Sequence, residues 1–142
     1  MNQITFLNKF SRPVLHRSLS VALMCSLAIS ATLRAETPQN ILKQYEAQSK
    51  QTASPTRGQV LFATNHGREW SCSSCHGNPP TQTGKHASTG KSIAPLAPAF
   101  NPERFTDTNK VEKWLRRNCN DVIGRECTSG EKADLISWLI KL

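Results

Sequence analysis

Residues 72–76 read Cys-Ser-Ser-Cys-His, and these five positions constrain the 142-residue chain more than any other feature. Two thiols three positions apart lie on one helical turn. They can add to the two vinyl groups of a haem, and the adjacent histidine then reaches the iron, which is the c-type attachment pattern. Other readings of a paired-cysteine motif fit less well. A zinc site calls for a fourth ligand and commonly a second paired cluster. The other cysteine pair, Cys119 and Cys127, is eight positions apart with no histidine nearby. A thioredoxin-like redox pair calls for a surrounding βαβ pattern, and none is visible. The motif therefore assigns Cys72 and Cys75 to one covalent haem c and His76 to the proximal iron position.

The start of the chain places this chemistry outside the cytoplasm. Lys9, Arg12 and Arg17 give a positive beginning, Leu19 to Leu33 is almost wholly apolar or small, and Leu33-Arg34-Ala35 ends in a small residue. That order reads as a secretory signal, residues 1–35, cleaved after Ala35. The apolar run is shorter than the roughly 20 residues of a membrane span. Cys25 lies within it without the small residues that precede a lipoprotein site. The expected domain is then residues 36–142, in the periplasm, where disulfides are permitted. Four of the 18 Lys and Arg residues and none of the 10 acids precede Glu36, so residues 36–142 carry +4 where the whole chain carries +8. With no block of like charge, nothing points to nucleic acid as a partner.

The remaining pattern is helical, with few strand signals. Thr37-Pro38 opens a short helix with Ile41, Leu42 and Tyr45 on one face, and Gln48 to Ala53 reads as a polar linker. Ser54-Pro55 opens a second helix through about Asn65, in which Gly58 and Phe62 share a face and the glycine permits close approach of another helix. Residues 77–102 hold five prolines and little periodicity, and read as a long ordered loop wrapped around something, with a haem edge as the candidate. Asp107 or Thr108 caps a third helix from Asn109 to about Asn118. Thr128-Ser129-Gly130-Glu131 is a capping box opening the last helix, with Leu135, Ile136, Leu139 and Ile140 as its buried stripe.

The sixth iron ligand is the sharper question. Many small cytochromes use methionine, but both methionines, Met1 and Met24, lie in the expected leader. The remaining donors are His66, His86, a lysine, an amide side chain or water. Val111, Trp114, Leu115 and Asn118 fall at helical spacing on one face, so Asn118 points toward the core or a haem. A cap at the helix C-terminus is the other reading of Asn118.

Four stretches carry a family resemblance: Thr-Gly-Lys-Ser-Ile-Ala-Pro-Leu-Ala-Pro at 89–98, Arg-Phe-Thr-Asp at 104–107, Val-Glu-Lys-Trp-Leu-Arg-Arg-Asn-Cys-Asn-Asp-Val-Ile-Gly-Arg-Glu-Cys at 111–127, and Gly-Glu-Lys-Ala-Asp-Leu at 130–135. In these the chain resembles the SHP family (sphaeroides haem protein), monohaem class I cytochromes c of unusual ligation. The resemblance implies an all-α fold, with short helices and a long loop around one covalent haem. It implies that Asn118 ligates ferric iron and lets go on reduction, so that oxygen, nitric oxide or carbon monoxide can bind. It also implies a disulfide between Cys119 and Cys127, and redox partners among other cytochromes c or membrane cytochromes b. The segment from Asn65 to Ser71, which holds His66, departs from the family pattern.

The physical logic agrees. An amide oxygen is a weak, hard donor that suits ferric better than ferrous iron, so reduction loosens it. A bridge beginning at the next residue fixes the loop while the ligand leaves and returns. Trp114 and Trp138 read as haem-packing and core residues, and Trp70 as a shield for the attachment turn. Lys110, Lys113, Arg116, Arg117 and Arg125 read as a solvated face, with docking of an acidic redox partner as the functional alternative. Lys85, His86 and Lys91 are candidates for neutralising haem propionates. The expected function is electron transfer with redox-gated gas binding. The alternatives are an enzyme that turns over nitric oxide or oxygen, or a gas sensor. No further acid–base pair commits the site to catalysis.

Overall fold

The computed structural model describes residues 36–142, so the expected leader lies outside the described residues. Each helix starts where a side chain satisfies the first free amides. For α1 (Pro38–Ser49), Thr37 Oγ1 accepts the Asn40 N–H at 3.2 Å, and Pro38 stands where a missing amide costs nothing. The helix runs two residues into the expected linker, because exposed Gln48 is as content in a solvated helix as in coil. It ends at Lys50, which turns left-handed with φ 55°. For α2 (Pro55–Ala63), Ser54 Oγ accepts the Arg57 N–H at 3.3 Å. It stops short of the expected Asn65, as Thr64 becomes extended and its hydroxyl donates to the Val60 carbonyl at 2.7 Å.

A single turn, α3 (Cys72–His76), follows. Its Ser71 N–H donates to Ser74 Oγ at 3.0 Å, while the Ser74 N–H donates to the Ser71 carbonyl at 3.2 Å. Asp107 Oδ1 then caps α4 (Thr108–Ile123) by accepting the Lys110 N–H at 3.0 Å. Here one expectation fails. The helix does not end near Asn118 but continues to Ile123, where Gly124 turns left-handed with φ 83°. Asn118 is therefore an interior residue of α4, and Gly124 does the capping. Finally α5 (Ser129–Leu139) opens on the expected box: Glu131 Oε2 accepts the Thr128 N–H at 2.8 Å, and Thr128 Oγ1 accepts the Glu131 N–H at 3.2 Å.

The core forms around α5, whose residues 132–139 are all buried because both α1 and α2 pack on it. Ile41 and Tyr45 of α1, Phe62 of α2, Val111 of α4, and Leu135, Ile136, Trp138 and Leu139 of α5 make one cluster, with Ile140 packed at its margin. Gly58 is what lets α2 sit so close: a Cβ there lies 2.0 Å from the Asp134 carbonyl oxygen. The same crossing is locked by Arg57, whose Nε reaches Asp134 Oδ2 at 2.7 Å, while the Ser54 N–H reaches Oδ1 at 2.6 Å. A disulfide joins Cys119 of α4 to Cys127 beside the start of α5.

The connection from residue 77 to 107 is ordered, as its proline content predicts, but it holds a small hairpin that the sequence pattern does not announce. β1 (Gly84–Lys85) pairs antiparallel with β2 (Ser92–Ile93), Gly84 opposite Ile93 and Lys85 opposite Ser92. Strands of two residues are too short to show alternation. Downstream, the Pro80 carbonyl accepts the amides of Leu96 and Ala97 at 3.0 and 3.2 Å. Arg104 donates to the carbonyls of Pro95 at 2.9 Å and Ala94 at 2.7 Å. No helix among the described residues is long and apolar enough to cross a membrane.

Candidate functional site

Two residues of α3 face one another across a single turn: Cys72 and Cys75 are both half-buried and neither is in a disulfide. Burial pushes the Cys72 thiol up to about 11. That is the opposite of what a thioredoxin-like pair or a zinc thiolate needs. Among the described residues no group of three or more His, Cys, Asp or Glu side chains forms a cage for a bare ion. His76 ends the turn, its ring centroid 6.2 Å from that of Phe62, which in turn lies 4.9 Å from Trp138. Burial, with the nearby Arg104 charge, lowers the His76 pKa to about 4, so the imidazole is neutral at physiological pH, the form that ligates metals.

The turn is braced from behind. A Cβ at Gly84 lies 2.1 Å from the Cys75 carbonyl oxygen, so only glycine lets β1 lie directly on α3. At the hairpin tip the Ala87 N–H donates to Cys75 Sγ at 3.3 Å. Sequence reasoning found neither Gly84 nor Arg104, because a glycine and an arginine in a proline-rich loop carry no local mark of what they touch.

On α4, Val111 is buried, Leu115 packs against the core and Asn118 is half-buried on the same face. The polypeptide alone buries Trp138 but leaves Trp114 45% exposed, and the Arg117 guanidinium carbon stands 5.7 Å from the Trp114 ring. Its position lies at the edge of the apolar stripe, beside the charged face. The helix is held along its length. Glu112 accepts the Tyr45 hydroxyl at 2.7 Å and Lys132 Nζ at 2.5 Å, and Asp121 offers its carbonyl to Arg68 Nε at 3.2 Å. Burial and the Glu112 carboxylate together hold the Tyr45 phenol protonated.

The rival histidines are engaged locally. His66 Nε2 donates to the Leu61 carbonyl at 2.9 Å, and His86 Nδ1 accepts from the Ser88 hydroxyl at 3.2 Å and the Thr89 N–H at 3.3 Å. Lys110, Lys113, Arg116 and Arg117 are exposed. Arg125 is instead bound to Glu131 at 2.7 and 2.8 Å and belongs to the α5 cap.

Comparison with known proteins matches this arrangement to a described group. A family described as a domain of unknown function, DUF1924, matches residues 48–139. The cytochrome c-type protein SHP of Cereibacter sphaeroides is 52% identical over 106 residues, covering 72% of this chain and 81% of that protein. The chain belongs to the SHP family. The structure of oxidised SHP, described as an oxygen-binding cytochrome c, superposes with a TM-score of 0.72 at 48% identity, over 76% of this chain and 99% of that one. The solution structure of cytochrome c'' from Methylophilus methylotrophus, a study of haem-ligand detachment, gives a TM-score of 0.63 at 38% identity, over 74% and 93%. The fold is thus the all-α cytochrome fold of this family, and its members are c-type cytochromes with covalently bound haem c.

Proposed function

We propose that the chain is an exported electron-transfer cytochrome c whose single haem is bound through Cys72 and Cys75, with His76 as proximal ligand and Asn118 as a distal ligand released on reduction. The observation that carries the reading is the α3 turn: two unbridged cysteines beside a desolvated, neutral histidine, on an apolar cluster of Phe62 and Trp138. The haem supplies an iron that cycles between ferric and ferrous states and, when ferrous, takes small π-accepting gases.

The chain does the rest. Cys72 and Cys75 fix the macrocycle's edge to one turn, and Gly84 keeps the hairpin close enough to hold that turn in place. His76, uncharged through burial, offers a lone pair without first losing a proton. Asn118 offers an amide oxygen, a hard donor that fits the ferric state and is given up in the ferrous one. α4 is tied through Glu112, Arg68 and the Cys119–Cys127 bridge, so it would hold the Asn118 amide at a fixed place. Asn118 is preferred over His66 and His86 because it shares the inward face of α4 with buried Val111 and part-buried Leu115.

Oxygen binding by the relative SHP supports the gas-binding half of the reading. A signal cleaved after Ala35 and a periplasmic location complete it. The test is a pair of spectra: the ferric protein six-coordinate, the ferrous protein five-coordinate, high-spin and quick to bind carbon monoxide. A ferrous form that stays low-spin and refuses carbon monoxide refutes ligand release.

A further inference from the structure

Arg104 is a cation in a costly place. It is half-buried, burial works against its charge, and it belongs to none of the ion pairs among the described residues. We propose that Arg104 is a tuning residue: its positive charge, held beside His76, raises the reduction potential and so sets how strong a donor must be before the distal ligand lets go. The inference rests on haem attachment at Cys72 and Cys75 and on ligation by His76. Three observations support it.

First, place. A Cβ at Gly84 lies 3.0 Å from His76 Cα, and Gly84 pairs with Ile93. The next two residues, Ala94 and Pro95, give their carbonyls to Arg104 at 2.7 and 2.9 Å. The guanidinium is thus anchored just past β2, whose partner β1 lies on the His76 turn. Its charge is felt at the imidazole.

Second, backbone. The following residue, Phe105, is left-handed at φ 57° and buried in the core. A bulky side chain avoids that conformation, so the fold holds strain here. The strain lets consecutive side chains serve two places, Phe105 the core and Arg104 the 94–95 carbonyls. Strain that the surroundings keep in place clusters at positions with a task.

Third, charge. A neutral amide can donate to two carbonyls without the cost of burying a cation. From Gly77 to Pro102 the chain has no Asp or Glu. Asp107 is engaged in capping α4, and Glu103 is exposed and in no ion pair among the described residues. Ferric haem carries one positive charge more than ferrous haem. An uncompensated cation therefore disfavours the ferric state, and does so most where water is scarce.

The experiment is a spectroelectrochemical titration of the holoprotein under argon, so that no gas binds the ferrous form. Arg104→Gln should raise the ferric-to-ferrous ratio at a given potential about tenfold, a midpoint about 59 mV lower for one electron. Arg104→Lys keeps the charge and should stay within about twofold of wild type, as should Lys113→Gln, which removes an exposed charge on α4. Asn101 Nδ2 also donates to the Pro95 carbonyl, at 3.2 Å, and gives a second approach. Asn101→Asp sets a carboxylate beside an intact Arg104 and should lower the midpoint in the same sense. A midpoint unmoved in Arg104→Gln overturns the proposal, as does an equal fall in Arg104→Lys or in Lys113→Gln. If Arg104→Gln does not fold, an unmoved midpoint in Asn101→Asp overturns it instead. Haem that extracts into acidified acetone overturns the attachment itself, a distinct result, and the tuning role with it.

Discussion

On one side of the proposed site, Cys72, Cys75 and His76 come from five consecutive residues on one turn. On the other, Asn118 depends on a 16-residue helix whose place is set by partners far along the chain. Tyr45 is 67 residues from Glu112, Glu36 is 72 residues from the Thr108 amide it accepts, and Arg68 is 53 residues from Asp121. The difference suits the two proposed roles. A permanent bond can be written into a local motif, because covalency supplies the stability. A ligand that must leave and return to one spot has a weak bond of its own, so its support must be rigid, and rigidity comes from long-range packing and ties.

The largest effect expected is on the local side. Cys72→Ala/Cys75→Ala should abolish covalent haem entirely, read as haem absorbance per protein after denaturation. Variants on α4 should leave it intact. Retention of full covalent haem in the double variant would break the comparison at its root.

The distal side should respond in degree. Cys119→Ser/Cys127→Ser removes a bridge closing a short loop and should cost about 2–3 kcal/mol of stability by chain entropy. It should do so with haem still attached, and with a less sharply defined ferric spectrum as Asn118 loses its fixed neighbour. Denaturant unfolding of both holoproteins measures the first part. An unchanged midpoint would mean that α4 is held without the bridge.

The helices and caps that carry the proposed site were legible in the sequence, and the misses share a cause. The Cys-Ser-Ser-Cys-His run, the Thr128–Glu131 box and the Gly58–Phe62 face are defined within four or five residues, where local chemistry decides the structure. The end of α4 was misread because residues past Asn118 alternate between the buried Cys119 and the exposed Asn120 and Asp121, which blurs the apolar stripe. Spacing gives a helix face but not its width, so the sequence did not show that Trp114 is more exposed than Trp138. Gly84 against Cys75 and Arg104 on the 94–95 carbonyls are purely tertiary, and nothing beside them in sequence records their partners.

A smaller effect sharpens the distal side through pH. Glu131 is held at about 2, chiefly by Arg125 with help from the Thr128 amide and hydroxyl. A depressed carboxylate stabilises the fold above its ordinary pKa, and that contribution is lost as pH falls from about 5 toward 2. Glu131→Gln should therefore lower stability at pH 7 by about 1 kcal/mol through the weakened cap. The difference from wild type should vanish near pH 2. A difference constant across that range would show that the charge of Glu131 is irrelevant.

The most direct test of the central claim is azide binding to ferric Asn118→Ala, beside carbon monoxide binding to the ferrous form of the same protein. The account predicts haem still attached, azide affinity raised at least about tenfold, equivalent to about 1.4 kcal/mol of lost competition, and carbon monoxide affinity unchanged because Asn118 has already let go. A ferric spectrum and azide affinity identical to wild type would contradict it, and would turn the search to His86 and His66.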